Sequence, residues 1–325
     1  MLTSKLMRRT ALSLIAGGIA ALTALPAAAQ EDFPGGRGIE LVAGYGPGGG
    51  HDTLLRTMAK ILQQEGIIEA PLSVVNKPGG SSAVAMGYLN GHAGDAHFLM
   101  SATSSHVTTP LISNVGLDYS DFTPIARLGI DPELLLVSTK GPYSSIDDLK
   151  AAGKTLNVGG TATGSIEHIV AIEFGEQTGV EVNFIPFQSD GEVVSALLSG
   201  QVDFTIGNPG SSRDFIEAGN FTALAVSTDE RIDLMPDVPT FQEQGLDITM
   251  SVFRGVTAPG DIDPAERDWL ISKMKELSEN PEWKAVYLDP NGVVPGFLPG
   301  DEFSAYLEET QGIYSDALTK LDLLK

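Results

Sequence analysis

The chain has 325 residues, with 42 Asp and Glu against 20 Lys and Arg, 5 His and no Cys, giving a net charge of −22 and a pI of about 4.4. The missing Cys excludes disulfides, thiolate metal sites, Cys nucleophiles and a lipid-modified cysteine. An acidic chain without a basic run also lacks the clustered Lys and Arg that neutralise a nucleic-acid backbone.

Residues 1–29 read as a secretory signal rather than as part of the fold. Lys5, Arg8 and Arg9 form a positive start, Ala11–Leu25 is apolar, and Ala27-Ala-Ala29 offers a small-residue cleavage site. Arg8-Arg9 leaves the Sec and twin-arginine routes both open. Cleavage would remove three cations and no acid, taking the net charge from −22 to −25. With no Cys for a lipid tether, the expected location is the periplasm.

Ile39–Ala43 then reads as a buried strand running into Gly44-Tyr-Gly-Pro-Gly-Gly-Gly-His-Asp52, followed by a helix with Leu54, Leu55, Met58, Ile61 and Leu62 on one face. Leu72–Val75 is a second strand, Ala83–Leu89 a short helix and His97–Ala102 a third strand. The order recurs in Leu156–Val158, the glycine loop 159–165, the helix Ile166–Thr178, the strand Val180–Ile185, the helix Glu192–Leu198 and the strand Val202–Ile206. Met250–Ala258 is strand-like, and helices follow around Leu270–Leu277 and Phe303–Leu324. Strand–helix alternation indicates parallel α/β sheets with ligands at the carboxyl ends of the strands. The late helices, without a new set of strands, suggest that the chain returns to complete a first lobe.

Gly44-x-Gly46-x-x-Gly49 matches the dinucleotide fingerprint in letters alone. No acid is placed for a ribose at Asn76-Lys77-Pro78, and Pro47 removes an amide from the turn. His51 and Asp52 stand where a P-loop needs Lys and Ser or Thr. The same physics suits a smaller anion, since glycines let backbone approach closely and a helix start near Asp52 offers free amides and the positive dipole end. The loop 161–165 opens a second helix alike. Two such starts facing one cleft would hold a carboxylate.

These segments resemble a known family. Gly46-Pro-Gly-Gly-Gly-His-Asp52, Val75-Asn-Lys-Pro-Gly-Gly80, Gly164-Ser165 with His168, and Pro186-Phe-Gln188 are similar to the receptors of tripartite tricarboxylate transporters, also called Bug proteins. So are Leu198-Ser-Gly-Gln-Val-Asp203, Pro236-Asp-Val-Pro-Thr240 and Gly255-Val-Thr-Ala-Pro259. The resemblance spans nearly all of residues 39–325. Two stretches depart from it: Val252-Phe-Arg254-Gly255 lacks a Trp common in relatives, and Gly91-His-Ala-Gly-Asp95 replaces an Asp-Gly-Tyr stretch. The resemblance implies an α/β, two-lobed periplasmic-binding-protein fold of type II (Venus flytrap), the second lobe inserted in the first. It also implies delivery of a small carboxylate to membrane permease subunits, with no chemistry and no cofactor.

The expected lobes are residues 30–133 plus 254–325, and 134–253, acting as a monomer. The expected ligand-binding residues are Tyr45, Gly49, Gly50, Asp52, Ser81, Ser104, Gly164, Ser165, His168, Gln188 and Asn208. Several have a second reading. Tyr45 is a pocket wall or a core aromatic; Asp52 meets a ligand ammonium, or caps its helix and pairs with Arg56. Ser81 and Ser104 are ligand hydroxyls or caps, His168 touches ligand or holds its loop, and Asn208 is a ligand amide or the N-cap before Pro209. The family pattern favours Ser165. Arg213 and Arg254 supply a cation to the cleft or make surface or hinge ion pairs. His92 and His97 lack zinc-ligand spacing, so no metal is expected. An exported enzyme acting on an organic acid is the alternative, with His51, Asp52 and His168 as its acid–base candidates.

Overall fold

In the computed structural model the described residues are 33–161, 163–187 and 190–324. The segment read as a signal and Gln188 lie outside them. The first half runs β1 (Ile39–Ala43), α1 (Gly50–Gln64), β2 (Leu72–Asn76), α2 (Ala83–Asn90), β3 (Phe98–Ala102), α3 (Ser104–Ile112) and β4 (Thr123–Asp131). After Pro132-Glu133 come β5 (Leu134–Ser138), α4 (Ile146–Lys150), β6 (Leu156–Gly160), α5 (Ile166–Thr178), β7 (Val182–Pro186) and α6 (Asp190–Ser199). Next are β8 (Phe204–Gly207), α7 (Pro209–Glu217), β9 (Phe221–Val226), β10 (Val252–Ala258) and α8 (Pro264–Glu279). The chain closes with α9 (Pro281–Trp283), α10 (Asp289–Asn291), β11 (Val294–Pro299) and α11 (Gly300–Lys320).

Two sheets result, ordered β11-β4-β10-β3-β1-β2 and β7-β6-β8-β5-β9. The second is built wholly from chain lying between β4 and β10, so it is an insertion into the first. The expectation of parallel sheets needs correction. β1, β2 and β3 pair in parallel, as do β6, β7 and β8, but β10 runs antiparallel to β3 and β4, and β5 antiparallel to β8 and β9. The antiparallel strands are those that carry the chain between the sheets or flank the passage. β11 is a late strand that the sequence reading did not expect. It contains Pro295 and Pro299 and sits at the sheet edge, where a missing amide donor costs least.

Apolar spacing drives each helix onto a sheet. Leu54, Leu55, Met58, Ile61 and Leu62 of α1 are all 1% exposed or less and pack with Leu41, Leu99, Met274 and Trp283. Each such side chain contributes about 1.5–3 kcal/mol of hydrophobic stabilisation. Ser165 caps α5, whose Ile169, Val170 and Phe174 are fully buried, and Gly179 ends it at φ 75°. α11 packs on α3 and β4 and reaches α5, where Lys320 pairs with Glu173 and Glu176. On the other side α10 meets the start of α7. A Cβ on Gly210 would stand 2.5 Å from the Asn291 carbonyl oxygen, and one on Gly292 would stand 2.7 Å from Pro209 Cβ.

Candidate functional site

Gly49 is the N-cap residue of α1 and has no side chain to cap with, so the first-turn amides stay available to a ligand. Gly50 is exposed, and the Arg254 guanidinium lies against it, with Nη1 3.0 Å from where a Gly50 Cβ would sit. Arg254 projects from β10 and ion-pairs with Asp131 at the end of β4, whose side chain is only 5% exposed. Arg254 therefore takes the hinge ion-pair reading while also standing at the α1 start.

Two residues beyond Asp131, Glu133 is fully buried. Asn208, the N-cap residue of α7, donates its side-chain amide to Glu133 Oε1 and to the Pro132 carbonyl, each at 3.0 Å. Burial first, then the nearby Glu167 and Asp131, push the Glu133 carboxyl well above the usual carboxylate range. Glu167 lies in the first turn of α5, with Oε1 accepting the Thr161 hydroxyl at 2.9 Å. Beside it is a space of about 20 Å³ lined by Thr161, Thr205, Gly207 and Ser212, room for a single water. The starts of α1, α5 and α7 are thus tied to one junction between the sheets. Ser104, at the start of α3, lies beside Tyr314 of α11, which also faces Glu133 and Glu167.

The other expected residues hold these loops. Asp52 accepts from the Gly48 amide, Arg56 Nε and Asn76 Nδ2, each at 2.9 Å. The Arg56 hydrogen bond is the main cause of a carboxyl pKa lowered to about 2. His168 accepts the Gly164 amide on Nδ1 at 3.0 Å and stacks on Phe184, with ring centroids 4.1 Å apart. Ser165 Oγ accepts the His168 amide. Tyr45 is 38% exposed and leans on the His51 ring. Ser81 is exposed at φ 52°, and its carbonyl accepts the Thr109 hydroxyl at 2.6 Å.

Sequence reasoning missed Asp131, Glu133 and Glu167. The visible signal was an Asp-Pro-Glu break between two apolar stretches, Leu128–Ile130 and Leu134–Val137. A cavity of about 1200 Å³ borders the junction at Ser227 and Tyr314 and runs between β4, α11 and the segments 227–234 and 284–298. None of the expected residues among those described lines it, and the starts of α1 and α5 do not open onto it, so its size does not make it the anion site.

Two buried histidines set an acid limit. His51 hydrogen-bonds Ser101 at 2.7 Å and Thr103 at 3.1 Å, and burial, with Arg254 and His106, lowers its pKa to about 3. His106 is 1% exposed, has no partner on either ring nitrogen among the described residues, and is lowered by burial to about 4. Both folded values lie below the unfolded 6.5, so their contribution is complete above pH 6.5 and is lost as pH falls toward 4 and 3. Thermal and urea unfolding should show on the order of 1–2 kcal/mol lost per ring by pH 5. His106→Leu should flatten part of that slope, and an unchanged slope would show that His106 is not protected in the fold.

The model of the tripartite tricarboxylate transporter family receptor matches residues 53–310. The chain belongs to that family. The receptor is 28% identical over 314 residues to protein BugT of Bordetella pertussis, covering 93% of this chain and 95% of the relative. Among solved structures, a TctC solute binding protein from Polaromonas superposes with a TM-score of 0.77 at 27% identity, covering 87% of this chain and 98% of that one. R. palustris Rpa4515, solved with adipate, gives a TM-score of 0.75 at 26% identity, covering 89% and 98%. The family comprises periplasmic solute-binding receptors of α/β fold. Among the described residues no helix is long and apolar enough to cross a membrane.

Proposed function

We propose that this receptor captures a small carboxylate between two lobes and delivers it to a membrane permease of the tripartite tricarboxylate type, as an exported monomer that does no chemistry. The lobes are residues 30–133 plus 254–325, and 134–253, meeting at Pro132-Glu133 and at the entry to β10. One observation carries the reading: Arg254 lies against the α1 start while paired with Asp131, and Glu133 beside that pair meets Asn208 and Glu167 at the starts of α7 and α5. Helix N-termini from both halves thus share one junction, where aligned amides favour an anion. The adipate held by Rpa4515 supports a carboxylate ligand. His51 and His168 kept neutral by burial, and Asp52 locked to Arg56, give little support to acid–base chemistry.

Differential scanning fluorimetry against mono-, di- and tricarboxylates, sugars and inorganic cations tests this. A matching acid at a hundred times its Kd should stabilise the fold by about 2.7 kcal/mol. Shifts with sugars or cations and none with any acid would overturn the reading.

A further inference from the structure

Arg127 stands apart from the other cations around the large cavity between β4, α11 and the segments 227–234 and 284–298. Arg231 and Lys284 are exposed there and ion-pair with Glu243 and Asp289. Arg127 lines the same cavity half-buried, and among the described residues no carboxylate pairs with it. Burial pulls its pKa down, and Tyr306 is the one group that acts against this. Buried charges are ordinarily paired, because an uncompensated one is costly.

The local structure holds Arg127 in that position. The register of β11 on β4 shifts between Pro295 and Leu298, which lie opposite Gly129 and Arg127. Within that bulge the Gly296 carbonyl accepts Arg127 Nε at 2.9 Å. Bulges of this kind re-aim a side chain beside a site. A Cβ on Gly296 would stand 3.1 Å from Ile130, so a glycine suits this close approach. The Tyr306 ring of α11 lies against the guanidinium, its centroid 4.4 Å from Cζ. With Nε and one face held, terminal N–H groups remain for a solute. The cavity, about 1200 Å³, is ample for a small organic molecule, whose sites run to about 300–1,000 Å³. Ile130, Leu234, Met250, Val294, Leu298 and Ile313 give it apolar walls. Its acids, Asp229, Glu230, Asp233, Asp289, Glu302 and Glu309, are all exposed.

We propose that this cavity is a second ligand site, separate from the helix starts, which takes an organic acid with one carboxylate and an apolar body. The carboxylate meets the Arg127 guanidinium, and the hydrocarbon lies on the apolar walls. A second carboxylate would face the exposed acids, so the site selects monoacids over diacids. The walls come from residues 227–251 and from residues 284–314, so an occupant touches chain on both sides of β10. The proposal does not depend on carboxylate capture at the helix starts, and either can fail alone.

Isothermal titration calorimetry with octanoate, octan-1-ol and suberate, eight carbons each, tests this. Protein carrying Asp131→Asn with Arg254→Met lacks the cation at the α1 start and isolates the cavity. Octanoate should bind that protein about tenfold or more tighter than octan-1-ol or suberate. Adding Arg127→Gln should weaken octanoate about tenfold or more and leave octan-1-ol unchanged. Equal weakening of both would assign Arg127 to folding alone and overturn the proposal. A diazirine analogue of octanoate, irradiated on the unmutated protein, needs no variant and should label residues 227–234, 249–251 or 284–298. No octanoate binding, binding unmoved by Arg127→Gln, or label confined to residues 44–52 and 159–168 would overturn the proposal and leave carboxylate capture at the helix starts standing.

Discussion

Arg254→Met should cost about 3–5 kcal/mol of unfolding free energy and abolish the thermal shift given by carboxylates. The Met stem fills much the same volume, so the loss is electrostatic. Asp131, 5% exposed, would be left charged beside Glu133 without the Arg254 guanidinium. The same change removes the guanidinium from the α1 start, where it stands against Gly50. Asp131→Asn combined with Arg254→Met separates the two effects. A buried ion pair replaced on both sides is often nearly neutral, so stability should largely return while acid binding stays lost. Urea unfolding of the three proteins with a parallel thermal-shift panel reads both. A single variant as stable as the parent would mean that Asp131 is solvated in solution and that the junction is not assembled as described.

Gly44→Ala should destabilise by about 3 kcal/mol, the upper end of ordinary overpacking. A methyl on Gly44 would come within 2.9 Å of the Ser82 Cβ and overlap its hydroxyl. Ser82 cannot retreat easily. It is 2% exposed, its carbonyl accepts the Met86 amide at the start of α2, and it ends a run of four left-handed residues: Gly79 at φ 136°, Gly80 at 56°, Ser81 at 52° and Ser82 at 76°. Left-handed backbone already costs Ser81 and Ser82 about 1–2 kcal/mol each. Adding Ser82→Gly removes both the obstructing hydroxyl and the strain, so the double variant should recover most of the loss in thermal unfolding. Failure to recover would place the clash elsewhere, at β1 itself.

The helices that begin at glycine loops were legible because their signals are local. α5 occupies the residues expected, 166–178, since a capping Ser precedes it, a glycine in the left-handed region follows it, and its apolar residues repeat at helical spacing. Asp52 and Arg56 are four residues apart on one helix, and their pair is present. The junction was not legible, because its contacts join residues far apart in sequence. Asp131 and Arg254 are separated by 123 positions, and Glu133 meets Asn208 across 75. Nothing in the spacing of an Asp-Pro-Glu break announces which cation will face it. Of the passage strands, β10 was legible as Met250–Ala258, while β4 and β5 escaped for a related reason. β5 is buried at every position, so it has no alternation of polar and apolar residues to betray its period.

The seat between α7 and α10 has a glycine at each of its closest points, Gly210 against the Asn291 main chain and Gly292 against Pro209. The missing methyls therefore work as a doorstop: they set how near α7 and α10 come, and a single added methyl would wedge these helices apart. Two hydrogen atoms in place of side chains thereby govern the outline of this flank of the molecule.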